Sequence, residues 1–195
     1  MKYKKILLVS LLLINFKAQT QDMSINVEPF FINAPTQSQV LDGLSAKTNN
    51  MDKSGGVILG WTRFKWKNIS ISARNEKNGC FIEKIVFSSD VNAFYPKLES
   101  AKNNAWNVKF EQFSQDVRLH EQKHINIYQS AWNQLKSEFA YLEGKVFVGT
   151  CENAQNQIQQ RINVWDAEVK NEHAILDQKE GHMDEGVFKN ILGLK

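Results

Sequence analysis

The sequence His120-Glu121-Gln122-Lys123-His124 has the HExxH pattern and lies inside a long segment with helical periodicity. On a helix, side chains four residues apart lie on one face, so His120 and His124 can reach a single metal ion. Glu121 follows the first histidine, where its carboxylate can reach a water molecule beside the metal. Two imidazoles and a nearby base are the minimum set for a zinc hydrolase. The motif therefore predicts Zn²⁺ as the cofactor and Glu121 as the catalytic base.

The residues on both sides of the motif predict one long helix from about 103 to 143, ended by Gly144. Apolar residues recur there at steps of three and four and place both histidines on or beside the buried stripe. The members of this stripe are Trp106, Phe110, Phe113, Val117, Ile127, Ala131, Leu135, Phe139 and Leu142. A second helix is predicted from about 152 to 177, with Ile158, Ile162, Trp165, Val169 and Leu176 on its stripe.

Strand patterns precede the two helices. Residues 62–67 and 69–73 alternate between apolar and polar side chains, and residues 80–87 are rich in β-branched and aromatic types. Turn chemistry is expected through Asp90, Asn92 and Pro96. The sequence therefore predicts an α+β fold: a small, mostly antiparallel sheet packed with two long helices, the first carrying HExxH, as in the zincins.

The chain divides into three predicted parts. Residues 1–20 read as a signal peptide, with a basic start, a short apolar run and small residues at the end. Residues 21–56 are predicted to be irregular with a short strand at 27–32, and residues 57–195 to form the zincin-like metallopeptidase domain. Export to the periplasm or the exterior of a bacterium is expected. The apolar run is too short to span a bilayer comfortably, so no stable membrane span is expected after signal removal.

The charge of the chain gives no indication of nucleic-acid binding. The full chain has a net charge of +3, but residues 1–20 carry four lysines and no acidic residue. The remaining chain has a net charge of −1, and no basic stripe with interleaved aromatic residues survives in it.

The chain has two cysteines, Cys80 and Cys151. In an exported protein an isolated pair predicts one disulfide bond. Zinc thiolates are the weaker alternative, because the two cysteines lack the close pairing of structural zinc sites.

A catalytic zinc usually has three protein ligands, so one must come from outside the motif. A carboxylate on the second helix, Glu168 or Glu172, is one source. His182 is the other, since it lies in a glycine-flanked loop that could bend back toward the metal. Asp177 could then accept a hydrogen bond from the other nitrogen of that ligand, as a second-shell residue.

Several ordered motifs resemble one family. These are Gly60-Trp61-Thr62, Gly79-Cys80, Trp106, Phe110, the HExxH motif, Cys151 and the closing stretch at 176–186. Together they resemble the bacterial predicted secreted zinc-dependent proteases, a domain-of-unknown-function family. In the closing stretch Asp177, His182 and Gly186 are retained. Leu176, Glu180, Met183 and Glu185 replace the tyrosine, threonine, glycine and glutamine of the family pattern. The resemblance implies secretion and metallopeptidase chemistry, and it favours His182 as the third ligand over Glu168, Glu172 and Glu180.

The expected function is that of a secreted zinc-dependent metallopeptidase acting on a peptide or protein substrate. Two alternatives remain open: a non-catalytic exported module braced by zinc, and a zinc amidase acting on cell-wall peptides. Candidate donors of a hydrogen bond to the transition state are Tyr128, Tyr141, Arg161 and His173.

Overall fold

The computed structural model describes residues 22–48, 59–99, 105–180 and 193. The elements follow the order β1 (Met23–Ile32), a 3-10 turn (Gln37–Gln39), α1 (Val40–Thr48), β2 (Trp61–Glu76), β3 (Gly79–Leu98), α2 (Ala105–Leu142), β4 (Val146–Phe147) and α3 (Cys151–Glu180). The predicted signal peptide at 1–20 and His182, with most of the closing stretch, lie outside the described residues.

The strands form one mixed sheet, in which the parallel pairing of β1 with β3 departs from the mostly antiparallel sheet that the sequence predicted. The strand order is β1-β3-β2, and β4 pairs with the beginning of β3. β1 runs parallel to β3, whereas β2 and β4 run antiparallel to it. Two long helices accompany this sheet, and α2 makes the more extensive contact with β3. The predicted α+β class is therefore confirmed, whereas the likeness to the zincins stays a prediction.

Helices α2 and α3 lie antiparallel to each other. Contacts that join them progress in opposite directions along the two sequences: Glu138 with Arg161, Ala131 with Trp165, and His124 with His173. In the C-terminal turns of α3, Asp177 and Glu180 lie close to His120. This pairing brings the C-terminal turns of α3 beside the HExxH motif in the middle of α2.

The core has two large apolar clusters, one toward each end of α2. One cluster joins β3 to the second half of α2 and to α3; it contains Ile82, Phe87, Trp132, Leu135, Phe139, Ile158, Ile162 and Trp165 among others. The other joins β1, α1 and the first half of α2; it contains Ile32, Leu44, Tyr95, Phe110, Phe113 and Val117 among others. The HExxH motif lies between the two clusters, so its helix is packed on both sides of the site.

Two sequence predictions about local structure were wrong. Asp90, Asn92 and Pro96 belong to β3, which continues to Leu98 instead of turning after Phe87. Pro96 is tolerated there because β2 begins at Trp61, which pairs with Phe94, and does not extend as far as Pro96. Pro96 therefore has a strand partner on the β1 side only. Residues 40–48 form α1 instead of an irregular segment, since Val40 and Leu44 lie one turn apart and both are fully buried.

The predicted disulfide between Cys80 and Cys151 is present and spans 71 positions of sequence. It joins the beginning of β3 to the first residue of α3. In the part of the chain that the structure describes, none of the helices has the length and apolar character needed to cross a membrane.

Candidate metal centre

Three side chains from α2 and α3 converge beside the sheet. His120 and His124 lie one turn apart on α2, and Asp177 lies on α3. Asp177 Oδ1 is 3.3 Å from His120 Nε2 and 3.0 Å from His124 Nε2. The two Nε2 atoms are 3.1 Å apart. The three atoms therefore form a nearly regular triangle, and within the described residues this group could hold a metal ion.

The spacing of this triangle fits zinc. Zinc with tetrahedral ligands at about 2.0–2.1 Å places neighbouring ligand atoms about 3.3–3.4 Å apart. The observed separations of 3.0–3.3 Å are slightly shorter than that and need only a small expansion. Two imidazole nitrogens and one carboxylate oxygen are also a common ligand set for catalytic zinc, which keeps its fourth position open.

Each histidine uses its other ring nitrogen to contact a different residue of α3. His120 Nδ1 lies 3.0 Å from Glu180 Oε2. His124 Nδ1 lies 2.6 Å from His173 Nδ1. Glu180 also accepts a hydrogen bond from Lys123, and this bond together with His120 lowers the pKa of its carboxyl. Both Nε2 atoms are therefore left to face Asp177.

His173 contacts the site from outside the triangle. Its ring lies between His124 and Tyr128, with ring centroids 4.8 Å and 4.3 Å away. Burial and the neighbouring His124 lower the pKa of His173 to about 4, against the opposing effect of Asp177. His173 is therefore neutral at physiological pH.

Glu121 is buried between α2 and the beginning of β2, with only 4% of its surface exposed. The Thr62 hydroxyl donates a hydrogen bond to its Oε2 at 2.7 Å. Burial raises the pKa of Glu121 to about 7, and the charge of Asp177 adds to this rise. The Thr62 hydrogen bond and His120 act in the opposite direction. The Glu121 carboxyl is thus close enough to the triangle for the charges of His120 and Asp177 to affect its pKa.

The carboxylates that were considered as third ligands differ in whether they face the triangle. Glu168 is exposed and pairs with Arg161 at 2.9 Å, and Glu172 is exposed on α3. Glu180 reaches the Nδ1 side of His120 and not the triangle. Asp177, for which the sequence suggested a second-shell role, is the α3 carboxylate that faces both Nε2 atoms. The prediction for His182 stays a prediction.

Two contacts with the motif were not predicted from the sequence, those of Thr62 with Glu121 and of His173 with His124. In the sequence, Thr62 stands out only in the family resemblance, and His173 only as a candidate transition-state donor. His173 and Asp177 are four residues apart on α3, the same spacing as His120 and His124 on α2. Matching spacings on two long helices could have indicated that both pairs face one site. The sequence contains no comparable indication for Thr62. The predicted strands also contain Ser70 and Ser72, and nothing in the pattern shows which hydroxyl group faces the motif.

The fold and site together define an α+β protein in which two antiparallel helices present a HExxH motif and an opposing carboxylate. The chain belongs to the family described as bacterial protein of unknown function (DUF922), whose sequence profile matches residues 27–183. The matched range includes the second half of β1, the other strands of the sheet, both long helices and the site. No curated protein and no solved structure matches the chain significantly.

Proposed function

We propose that this protein is an exported zinc-dependent metallopeptidase. The observation that carries the proposal is the triangle of His120, His124 and Asp177 ligand atoms at 3.0–3.3 Å, formed beside a buried carboxylate at the second position of HExxH. In this proposal Asp177 is the third zinc ligand, and Glu121 is the catalytic base.

Each residue of the site has a separate role in the proposed peptide hydrolysis. A zinc ion held by the triangle would supply a Lewis acid that polarises the scissile carbonyl and makes a water molecule acidic near neutral pH. Glu121 accepts the proton of the attacking water and returns it to the leaving amine. Thr62 fixes the orientation of the carboxylate by donating to Oε2. His120 and His124 are held in place through their Nδ1 contacts with α3.

The position of β2 supports a peptide as the substrate. Among the described strands β2 lies at one end of the sheet, paired only with β3. Its second residue, Thr62, contacts Glu121. An extended peptide that added to the free edge of β2 would pass close to the base, and strand addition is a common mode of peptide recognition.

The candidates for a transition-state donor differ in their distance from the triangle. Tyr128 lies one turn beyond His124 and packs against His173, and burial raises its pKa to about 12. Tyr141 is 71% exposed and 17 positions beyond His124, roughly 25 Å along the helix. Arg161 is paired with Glu138 and Glu168. Tyr128 and His173 are therefore the nearer candidates.

A zinc brace between α2 and α3 is the competing function, because the triangle takes ligands from both helices. A brace has no use for a buried carboxylate beside an open coordination position, and Glu121 therefore favours the hydrolase. An amidase acting on cell-wall peptides would use the same residues and differ only in substrate.

The experiment compares Glu121→Gln, Asp177→Ala and His182→Ala with the unmutated protein, and uses Glu172→Gln as an exposed control on the same helix. Bound metal is measured by elemental analysis, and cleavage is measured on casein and on purified peptidoglycan. We expect one zinc per chain in the unmutated protein and in Glu121→Gln, with cleavage reduced about 10²–10⁴-fold in the latter. Asp177→Ala is expected to lose zinc.

Four results decide between these alternatives. Full cleavage by Glu121→Gln would remove Glu121 as the base. Zinc retained in Asp177→Ala but lost in His182→Ala would move the third ligand to His182. Cleavage of peptidoglycan but not of casein would favour the amidase, and stoichiometric zinc without cleavage of either would favour the brace.

A further inference from the structure

The two motif histidines have unlike partners on their Nδ1 sides. His120 meets the carboxylate of Glu180, an ordinary hydrogen-bond acceptor. His124 meets a second imidazole, that of His173, at 2.6 Å between the two Nδ1 atoms. A contact of this length requires one shared proton, because two protonated nitrogens would repel and two bare lone pairs would also repel.

The position of that proton follows from the role of His124. A neutral imidazole that binds a metal through Nε2 carries its proton on Nδ1. His124 is then the donor and His173 Nδ1 the acceptor, so the proton of His173 must be on Nε2. This nitrogen is buried and has no hydrogen-bond partner among the described residues.

The surroundings of His173 hold it in this orientation. Its ring packs against Tyr128, which in turn stacks on Phe64 of β2 with ring centroids 5.1 Å apart. His173 lies one helical turn before Asp177. The same face of α3 therefore supplies the Asp177 carboxylate to the triangle and the His173 ring as a neutral hydrogen-bond acceptor for His124 Nδ1.

We propose that His173 is a positioning residue that fixes the tautomer and ring orientation of His124 for zinc binding. It acts as an uncharged hydrogen-bond acceptor behind the ligand, in the place where zinc-binding histidines usually have a carboxylate or a backbone carbonyl. The inference rests on the zinc site of the proposed function and adds a residue to it that HExxH does not contain.

The first test measures zinc affinity by competition with a chromophoric chelator. His173→Leu removes the acceptor and puts an apolar side chain in its place. His173→Gln restores an acceptor oxygen, and Glu172→Gln is the neighbouring exposed control. We expect His173→Leu to bind zinc about 10–100-fold more weakly. His173→Gln is expected to recover most of this loss, and Glu172→Gln to match the unmutated protein.

The second test needs no variant to fold. The chain contains four histidines, so the long-range ¹H–¹⁵N spectrum of the zinc-loaded protein can be assigned with few labelled samples. We expect His173 as the neutral tautomer protonated at Nε2, and His124 protonated at Nδ1.

The outcomes separate this inference from the proposed function. Absence of zinc from the unmutated protein would refute the zinc site itself. Zinc binding of normal strength in His173→Leu, or a His173 protonated at Nδ1, would overturn the positioning role alone. Failure of His173→Gln to recover affinity, combined with a zinc-bound His173 nitrogen in the spectrum, would make His173 a ligand and overturn the inference.

Discussion

At the scale of single residues, the surroundings of Glu121 are unusually crowded. Thr62 donates to one carboxylate oxygen, and Gly60 lies directly beside the other. A carbon added at the Cβ position of Gly60 would lie 2.5 Å from Val117 Cγ1, 2.9 Å from Glu121 Oε1 and 2.9 Å from the Phe94 carbonyl oxygen. Glycine is therefore required here for close approach of β2 to α2, and it leaves the base enclosed by backbone.

Gly60→Ala tests this enclosure. A methyl group there would clash with Val117, Glu121 and the Phe94 carbonyl oxygen together, and overpacking of this kind costs about 1–3 kcal/mol. We expect a loss of unfolding free energy in that range, measured by urea denaturation with an unchanged m-value. An unchanged denaturation midpoint would show that β2 can move away from α2 at this point and that Glu121 is not clamped.

The HExxH motif allowed His120, Glu121 and His124 to be predicted because three residues close in sequence carry the pattern. The position of Asp177 in the triangle could not be read in the same way. It depends on the register of α3 against α2, and that register is set by contacts such as Trp165 Nε1 to the Ala131 carbonyl oxygen, which no local pattern encodes.

At the scale of elements, the register of α2 and α3 is supported by an ion pair far from the site. Arg161 donates from Nε and Nη2 to the two carboxylate oxygens of Glu138, at 2.6 Å and 2.9 Å. The hydrogen bond from Arg161 is the main cause that lowers the pKa of Glu138. A bidentate pair of this kind fixes both the spacing and the axial position of two helices.

Glu138→Gln is expected to lower the unfolding free energy at pH 7 by about 0.5–1 kcal/mol, a small value because both side chains are partly exposed. The pKa of Glu138 is lower in the folded state, so its stabilisation is present above the unfolded value of about 4.3 and is lost as the pH falls. The difference between Glu138→Gln and the unmutated protein should therefore shrink below about pH 4.

Chemical denaturation between pH 3 and pH 7 measures this difference. Glu111→Gln is the control, since Glu111 is an exposed residue of α2 whose side chain bonds Gln115 of the same helix. A difference for Glu138→Gln that stayed constant across this pH range would contradict the assigned ion pair.

Elements with regular periodicity were predicted well, whereas the second half of β3, which lies beside β1, was not. Helices α2 and α3 were found because their apolar stripes run over many turns. The second half of β3 was missed because Asp90 and Asn92 are typical turn residues. In the structure they continue the strand and bond to residues of β1, Ser24 and Asn26, from a parallel neighbour that the sequence did not reveal.

At the scale of the whole molecule, the proposed metal would join the two helices that also carry most of the core. Binding to the folded state alone stabilises it by RT ln(1 + [L]/Kd), about 2.7 kcal/mol at a hundredfold excess over Kd. For a domain of this size that corresponds to a rise in melting temperature of about 5–10 °C. We expect zinc to produce such a rise and a chelator to reverse it.

Asp177→Ala should abolish the dependence of melting temperature on zinc without changing the melting temperature of the chelated protein by a comparable amount. Differential scanning calorimetry of both proteins, with zinc and with chelator, measures this. Equal zinc-induced shifts in the two proteins would place the stabilising metal elsewhere in the chain.

The bond between Cys80 and Cys151 has a consequence for how the chain responds to cleavage by a protease. The connection between α2 and α3 contains Val148, whose side chain is 95% exposed, so it is an accessible place for a protease to cut. A single cut there, or anywhere from 81 to 150, produces two fragments that remain covalently tethered. A molecule cut between α2 and α3 can therefore keep the triangle of His120, His124 and Asp177 assembled, and fragmentation would appear on a gel only after reduction.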